Sequence, residues 1–570
     1  MNKYRKDNKP ESTIENIKDI LKKLDIEIIE NTEAAFEDKL YCTRLTIKGL
    51  YDIGVNGKGS SELYSRASAY SELMERLFGE ILIQNKFRCS KNKSNVADIN
   101  RNEIKHCINT YFRRFVESNR IDDFVTYVAN NNSDLCFEPY YNINKKRVEL
   151  LPEKLIKFFN GSNGLCAGNS PEEAITQGLC EIFERYIRKE IYFNSFYSTS
   201  ISEDYYKNSH CFEIIKKLKS ENYVVDVRDC TLDGQFPVLG VVVVDPSREY
   251  YFLSIGSDPD FDICLERCLT ELFQGRIFNN FAAKLFKIYI HDSVDLELAI
   301  KKSDYDIINV YFNRFIKDGM APIPNSFWSN KKFDSSNLKV FKSFDTNINA
   351  LNYCYGLIKD FDIYIKKYLS YNNVYVYRVF VRDMSTISYW SNNRIDLLIT
   401  EKEFISSYFE LINNTLNSDG MKFMLDELRK RAFYYGINPL LVIFDLPNCF
   451  QGINTLNSEF VIYKLLLKLN KYDECIQLLR NRKSDISNKL LYSQLIGLEF
   501  KKNGIFDKFE EKIDIFSPKL KKLYSSLYDA DFELSGERIG NQCNSCKIKD
   551  CKKGQIEKII NNINLIRSED

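Results

Sequence analysis

The sequence predicts an α+β domain followed by an all-α region, and three observations carry that prediction. Short runs of strand length, such as Pro237 to Asp245 with its VVVV at 241 to 244, interleave with helical patterns through roughly the first 395 residues. Two glycine-bearing segments each lead directly into a helix that carries clustered glutamates. From about Asp396 the strand-like runs stop, and stretches with Leu, Ile, Phe and Tyr at helical spacing follow one another over short connections. The boundaries drawn on that basis are 1–395 for the mixed domain and 396–570 for a helical, tetratricopeptide-like domain with a cysteine-containing tail.

Composition narrows the function classes. The 570 residues leave room for about two to four domains at ~150 residues each. With 80 Lys+Arg against 79 Asp+Glu there is no net field to draw in nucleic acid or a membrane surface, so partners must be recognised locally. The N-terminal MNKYRKDNKPEST is polar, and no apolar run approaches the ~18 residues of a membrane helix; the expectation is a cytoplasmic protein without membrane or direct nucleic-acid contact. Sixteen cysteines are scattered along the chain, many among apolar residues as Cys180, Cys264, Cys268 and Cys354 are, and these read as reduced core residues.

Taken in order, Thr13 to Leu24 predicts an amphipathic helix, with strands around Ile26 to Glu30 and Tyr41 to Leu50. Gly54 to Ser61, GVNGKGSS, reads as a flexible loop opening a helix over Glu62 to Asn85. Asn100 to Arg147 looks helical and then loop-like. A second glycine-bearing loop, within SNGLCAGNS, opens the helix that runs to Lys189. Asn222 to Asp229, Pro237 to Asp245 and Glu249 to Ile255 predict three strands, followed by a helix over ICLERCLTELFQGRIFNNF. Asp292 to Phe341 reads as an irregular excursion, and 342–383 as a helix and a closing strand. In the C-terminal region the helical stretches are Ser458 to Leu469, Lys471 to Asn481, Asn488 to Lys502 and Phe506 to Phe516.

The chemistry lies in two matched helices. The first carries Ser68, Glu72, Glu75 and Arg76; the second carries Gln177, Glu181, Glu184 and Arg185, after Glu173 one turn earlier. Offsets of three and four stack these groups on one helical face, where glutamates repel unless a cation stands opposite. A lone E-x2-E-R is a common solvated face, whereas two copies in matched contexts point to a site. Mg²⁺ takes oxygen ligands and is usually held by a few carboxylates plus phosphate oxygens, which suits Glu72, Glu75, Glu181 and Glu184 with Arg76 and Arg185 reaching the same phosphates. Neither a G-x4-G-K-[ST] nor a G-x-G-x-x-G motif is present, so the nucleotide site is of neither standard kind. His106, His210 and His291 are the only histidines and have no recognisable motif, which argues against a His-centred triad.

The two E-x2-E-R helices, the loop GLCAGNSPEEA and the helix ERCLTELFQGR together resemble the YcaO family, over about residues 1–390, and the arrangement is most similar to its long enterobacterial form. The resemblance implies a YcaO-type ATP-binding domain that uses ATP and Mg²⁺ to activate a peptide backbone amide. Its catalytic and metal-binding carboxylates fall on Glu72, Glu75, Glu181 and Glu184, and its phosphate-contacting arginines on Arg76, Arg185 and Arg267. Further nucleotide contacts fall on Lys6, Thr13, Cys166, Asn169, Glu173 and Glu271, with Cys166 standing where the family pattern has a small polar residue. Also implied are a homodimer, a peptide or ribosomal protein as substrate, and a role as accessory factor in RimO-type β-methylthiolation of a small-subunit ribosomal protein, with a radical methylthiotransferase as partner. Azoline-forming members end in a proline-rich tail; this chain ends INLIRSED, which speaks against peptide cyclodehydration. A thioamide-forming enzyme of a peptide natural product pathway and a non-catalytic ATP-bound adaptor remain the alternatives.

Cys543, Cys546 and Cys551 form C-x2-C-x4-C in a lysine-rich setting. They are donors for zinc or an iron–sulfur cluster that lack a fourth ligand nearby, or else exposed reactive thiols, and both readings stay open.

Overall fold

The computed structural model describes residues 5–36, 39–50, 53–82, 101–131, 137–245, 250–274, 290–318, 321–328, 331–387, 389–435, 458–481, 498, 501–503 and 553–569. The end of the helix expected over ICLERCLTELFQGRIFNNF, most of the expected helix Asn488 to Lys502, the helix Phe506 to Phe516 and the cysteines Cys543, Cys546 and Cys551 lie outside them. The chain divides into two compact units, Met1–Asn392 with Lys552–Asp570, and Asn393–Cys551.

The first unit opens with α1 (Pro10–Lys23), whose proline sits in the first turn where its missing N–H costs nothing. Strands β1 (Ile28–Phe36), β2 (Leu40–Ile47) and β3 (Gly54–Gly59) form a three-stranded antiparallel sheet in chain order. The segment expected as a flexible loop is therefore a strand. Its glycines are required because α2 (Glu62–Phe78) lies directly on it: a Cβ at Gly57 would stand 2.2 Å from the Ser65 carbonyl oxygen, and one at Gly59 2.4 Å from the Ser65 nitrogen. Gly57→Ala is accordingly expected to lower the melting temperature by several degrees, the scale of overpacking by ~1–3 kcal/mol, as read by thermal denaturation.

After α3 (Arg101–Cys107) and α4 (Ile121–Asn131), the hairpin of β4 (Phe137–Asn142) and β5 (Arg147–Pro152) replaces the expected loop. Then come α5 (Glu153–Asn160), β6 (Leu165–Gly168), α6 (Pro171–Phe193), β7 (Thr199–Ser200), α7 (Phe212–Ser220), β8 (Val224–Asp229), β9 (Val238–Asp245), β10 (Tyr250–Ser257) and α8 (Phe261–Leu272). Further on, β11 (Ile363–Tyr371) and β12 (Val374–Val381) return to the first half of the chain. One sheet has the order β5-β4-β11-β12-β6 and the other β10-β9-β8-β7, with every pairing antiparallel.

Side-chain alternation along the strands separates the cores. Val374 and Val376 of β12 face the core of α1 and α2, while Val379 and Val381 face that of α6. On β9, Val242 joins the α6 core, and Val241 and Val243 join that of α7 and α8. The helix α6 thus lies between the two larger sheets, which accounts for the burial of its Leu179, Ile182, Phe183, Ile187 and Ile191.

Two further stretches differ from expectation. The supposed irregular segment from Asp292 contains the helices Ile290–Lys302 and Tyr305–Asp318, because Leu296, Ala299, Ile308, Phe312 and Phe315 find the α6 core despite their polar neighbours. The C-terminal helix Lys553–Glu569 packs in the first unit, not with the helical region where the sequence placed it. Its Ile559, Ile563 and Ile566 bury with Ile14, Ile17, Leu73 and Leu77, and Arg567 donates to Glu80 at 2.7 Å.

The second unit is helical throughout its described residues. Its core comprises Phe404, Tyr408, Met424, Leu428, Val461, Leu465 and Cys475, with Arg431 buried against Glu427 at 2.9 Å. Among the described residues ten cysteines remain as thiols and nine of them are buried, and no helix is long and apolar enough to cross a membrane.

Candidate functional site

The two E-x2-E-R helices meet across one cavity. Both start the same way: Ser61 caps α2 by accepting from the Tyr64 amide at 3.3 Å, and Ser170 caps α6 by accepting from the Glu173 amide at 3.1 Å. Each follows a short strand ending in a glycine that admits the helix backbone, Gly59 on β3 and Gly168 on β6; a Cβ on Gly168 would lie 2.6 Å from the Ala174 nitrogen. This shared build places Glu72, Glu75 and Arg76 opposite Glu181, Glu184 and Arg185 in a cavity of ≈ 320 Å³. The third wall is α8, with Arg267 and Glu271, and the segment preceding α1 closes one end with Lys6.

Electrostatically the cavity is uneven. Burial pushes Glu75 well above the ordinary carboxylate range; Glu181 and Glu72 push the same way, and Arg76 opposes them. Burial likewise raises Glu181, with Glu184 and Glu72 adding to it against Arg185 and Arg76. Glu184 goes the other way: its burial is outweighed by Arg188, Arg185, Lys58 and Arg267, which hold it ionised. Its partner is Arg188, at 2.7 Å. Arg76 stands 3.4 Å from both Glu72 and Glu75, and Arg185 3.8 Å from Glu181, all looser than a tight charge-assisted bond.

At the end near α1, Asn169 donates to Glu173 at 3.1 Å, Lys6 pairs with the same carboxylate at 2.9 Å, and the Thr13 hydroxyl donates to Asn169 at 2.7 Å. Glu173 is 5% exposed; burial would raise it, but Lys6 and the Asp7 amide bring it below the usual range. On the opposite side Lys58 is ion-paired with Glu271, and burial lowers Lys58 to about 8.

Of the residues singled out in the sequence, Lys6, Thr13, Glu72, Glu75, Arg76, Asn169, Glu173, Glu181, Glu184, Arg185, Arg267 and Glu271 all line this cavity. Cys166 does not. On β6 it points to the face opposite Ala167, is 0% exposed, and its sulfur would lie 2.9 Å from a Cβ on Gly178 of α6, so it packs beneath the helix and a nucleotide in the cavity would meet Ala167 instead. The sequence reading missed Lys58, Asn347 and Arg188. Lys58 falls in the segment whose glycines predict a loop, whereas Arg188 is legible as the residue one turn beyond Glu184. Asn347 has no local signal; it reaches the site by donating to the Arg5 carbonyl and, at 3.0 Å, to Asp7.

The donor set fits a metal–phosphate ligand. The Arg185 Nη1 and the Thr176 hydroxyl, both at the cavity wall, are buried without a hydrogen-bond partner. Among the described residues the four glutamates do not form a closed cage of three converging carboxylates. Carboxylates from both helices, with phosphate oxygens and water, are the oxygen donors that Mg²⁺ takes.

A protein of Escherichia coli K12 described as ribosomal protein S12 methylthiotransferase accessory factor YcaO is 30% identical over 237 residues, covering 39% of this chain and 40% of that protein. An uncharacterised Haemophilus influenzae protein is 28% identical over 244 residues, with the same shares. The matched stretches thus span less than half of either relative. Among solved structures, YcaO from Methanopyrus kandleri bound with AMPPCP and Mg²⁺ superposes with a TM-score of 0.41 at 14% identity, covering 67% of this chain and 93% of that one. A heterocyclase in complex with substrate and cofactor gives 0.46 at 15% identity, covering 67% and 54%. Residues 56–385 match the model of the YcaO cyclodehydratase domain, ATP- and Mg²⁺-binding, and the chain belongs to the YcaO family.

Proposed function

We propose that this chain is an ATP- and Mg²⁺-dependent enzyme that activates a peptide backbone amide by phosphorylating its oxygen. The observation that carries this reading is the single cavity walled by Glu72, Glu75, Glu181 and Glu184 together with Arg76, Arg185 and Arg267, in which Arg185 keeps an unpartnered Nη1. Glu72 and Glu75 from one helix and Glu181 and Glu184 from the other would hold the metal. Bound Mg²⁺ supplies charge neutralisation to phosphate oxygens, a large term in phosphoryl transfer. The three arginines orient the phosphates and stabilise charge that develops on them, and burial strengthens each contact. Lys6, Thr13, Asn169 and Glu173 hold the opposite end of the nucleotide, and Glu271 sets the position of Lys58.

The substrate in this reading is a peptide or ribosomal protein. The E. coli relative's description, ribosomal protein S12 methylthiotransferase accessory factor, favours an accessory role in methylthiolation of a ribosomal protein. A RimO-type radical methylthiotransferase as partner, a homodimeric state and a cytoplasmic location complete the proposal. Zinc or iron–sulfur binding at Cys543, Cys546 and Cys551 forms no part of this reading.

Arg185→Ala is expected to weaken binding of a non-hydrolysable ATP analogue about 10- to 150-fold, the value of one charge-assisted hydrogen bond of ~1.5–3 kcal/mol, measured by titration calorimetry. Unchanged affinity would remove the phosphate role of this side chain. ATP binding without any Mg²⁺-dependent phosphate release would favour an adaptor over an enzyme.

A further inference from the structure

Outside the glutamate cluster, one group of side chains has the chemistry and spacing of a transition-metal site. Cys211 stands at the residue before α7, His210 immediately precedes it, and Glu266 lies on α8 next to Arg267. Among the described residues these three form the one group of His, Cys, Asp or Glu whose ligand atoms all lie within 4.8 Å of one another. The Cys211 sulfur is 3.3 Å from His210 Nε2, and the same nitrogen is hydrogen-bonded to a Glu266 carboxylate oxygen. One imidazole nitrogen therefore faces a thiol and a carboxylate together. A His–Glu ion pair accounts for two of these groups; the thiol, which also lies 4.0 Å from the Asp262 carbonyl oxygen, brings a third ligand type to the same imidazole nitrogen.

We propose that His210, Cys211 and Glu266 bind a single zinc-type divalent cation, separate from the Mg²⁺ expected at the glutamates. Nitrogen, thiolate sulfur and carboxylate oxygen are the donors zinc takes, and bond lengths near 2.0–2.3 Å in a tetrahedron place such donors roughly 3.4–3.6 Å apart. The observed sulfur–nitrogen separation is already close to that, and the carboxylate needs only to withdraw slightly from the imidazole for an ion to enter. On binding, the Cys211 S–H bond breaks, the proton leaves to solvent and the sulfur's electron pair goes to the metal. Cys211 is fully buried and Glu266 nearly so, which keeps competing water away from two of the ligands, while the His210 side chain is 30% exposed and gives the ion its way in.

The position gives the cation a structural consequence. Glu266 also lines the main cavity, and its neighbour Arg267 points into it. A metal bridging the start of α7 to α8 fixes the helix that presents Arg267 and Glu271. Three protein ligands leave a fourth position for water or a small sulfur- or oxygen-donor ligand. Thiolate ligation suits zinc or cobalt and disfavours Mg²⁺, so the two sites sort their metals by donor chemistry.

The test uses the full-length chain carrying Cys543→Ser, Cys546→Ser and Cys551→Ser, so that tail thiols cannot contribute. Purified without chelators, it is expected to carry close to one equivalent of zinc by mass spectrometry, and after chelation to develop thiolate-to-cobalt charge-transfer absorption on titration with Co²⁺. Adding Cys211→Ser is expected to abolish that absorption. Adding His210→Ala, a change at a partly exposed side chain that circular dichroism can verify as folded, is expected to weaken cobalt binding at least tenfold. Absence of the charge-transfer band in the tail-substituted protein overturns the proposal, as does its persistence in Cys211→Ser or unchanged cobalt affinity in His210→Ala. Cobalt binding at the glutamates alone lacks the sulfur band and also counts against it. None of these readouts depends on the nucleotide reading.

Discussion

Glu181→Gln is expected to reduce Mg²⁺-dependent phosphate release by about 10²–10³-fold or more while leaving the melting temperature equal to the parent's or above it. The two halves of the expectation have one cause. Glu181 is a half-buried carboxylate near Glu184 and Glu72, and its removal from water with like charge beside it already disfavours its ionised form. A neutral amide of the same shape relieves that penalty in the metal-free protein and removes a ligand from the loaded one. Glu184→Gln is a less clean test: it strips the charge opposite Arg188, 2.7 Å away and almost fully buried, and is expected to cost about 3 kcal/mol of stability as well as turnover. Phosphate release by malachite-green assay beside thermal melts separates the two variants. Full turnover in Glu181→Gln would defeat the metal-ligand reading of that residue.

The second large effect concerns the end of the chain. Ile563→Ala is expected to destabilise the first unit by about 2–5 kcal/mol and to lower affinity for a non-hydrolysable ATP analogue along with it. Ile563 is 1% exposed in the core that also holds Leu73 and Leu77 of α2, the helix carrying Glu72, Glu75 and Arg76. The same helix end is pinned electrostatically: burial works against Glu80, yet Lys157 and Arg567 outweigh it and bring the carboxylate down to about 2. Arg567→Ala removes one of the two cations and should add a smaller loss. Thermal denaturation with and without the analogue measures both; a melt and an affinity equal to the parent's would show that the terminal helix does not brace α2.

Much of the site was readable because its signals are local. Helical offsets of three and four put Glu72, Glu75 and Arg76 on one face, and Glu181, Glu184 and Arg185 on another, whatever the rest of the chain does. The family pattern then added α8 and the N-terminal contacts, and the cavity gathers them all except Cys166. Cys166 escaped because a match of position says nothing of which face of a four-residue strand a side chain takes; pairing with β12 settles that. Glycine-rich β3 reads as a loop in the sequence for a related reason. Glycine weakens a strand in isolation, and only the helix pressed against Gly57 and Gly59 shows why it is needed there.

What the sequence by itself determined is therefore the chemistry of each wall: two capped helices, each presenting a carboxylate pair with an arginine, since capping and helical periodicity depend on neighbours within a few residues. What only the tertiary structure decided is how those walls face one another. The antiparallel return of β11 and β12, the lodging of α6 between two sheets, and the docking of residues 553–569 beside α1 and α2 join groups hundreds of positions apart. Such contacts arise from burial of apolar surface, which is non-directional and leaves no spacing rule in the chain. The raised protonation tendency of Glu75 and Glu181 is a product of that burial, and so is the meeting of His210, Cys211 and Glu266.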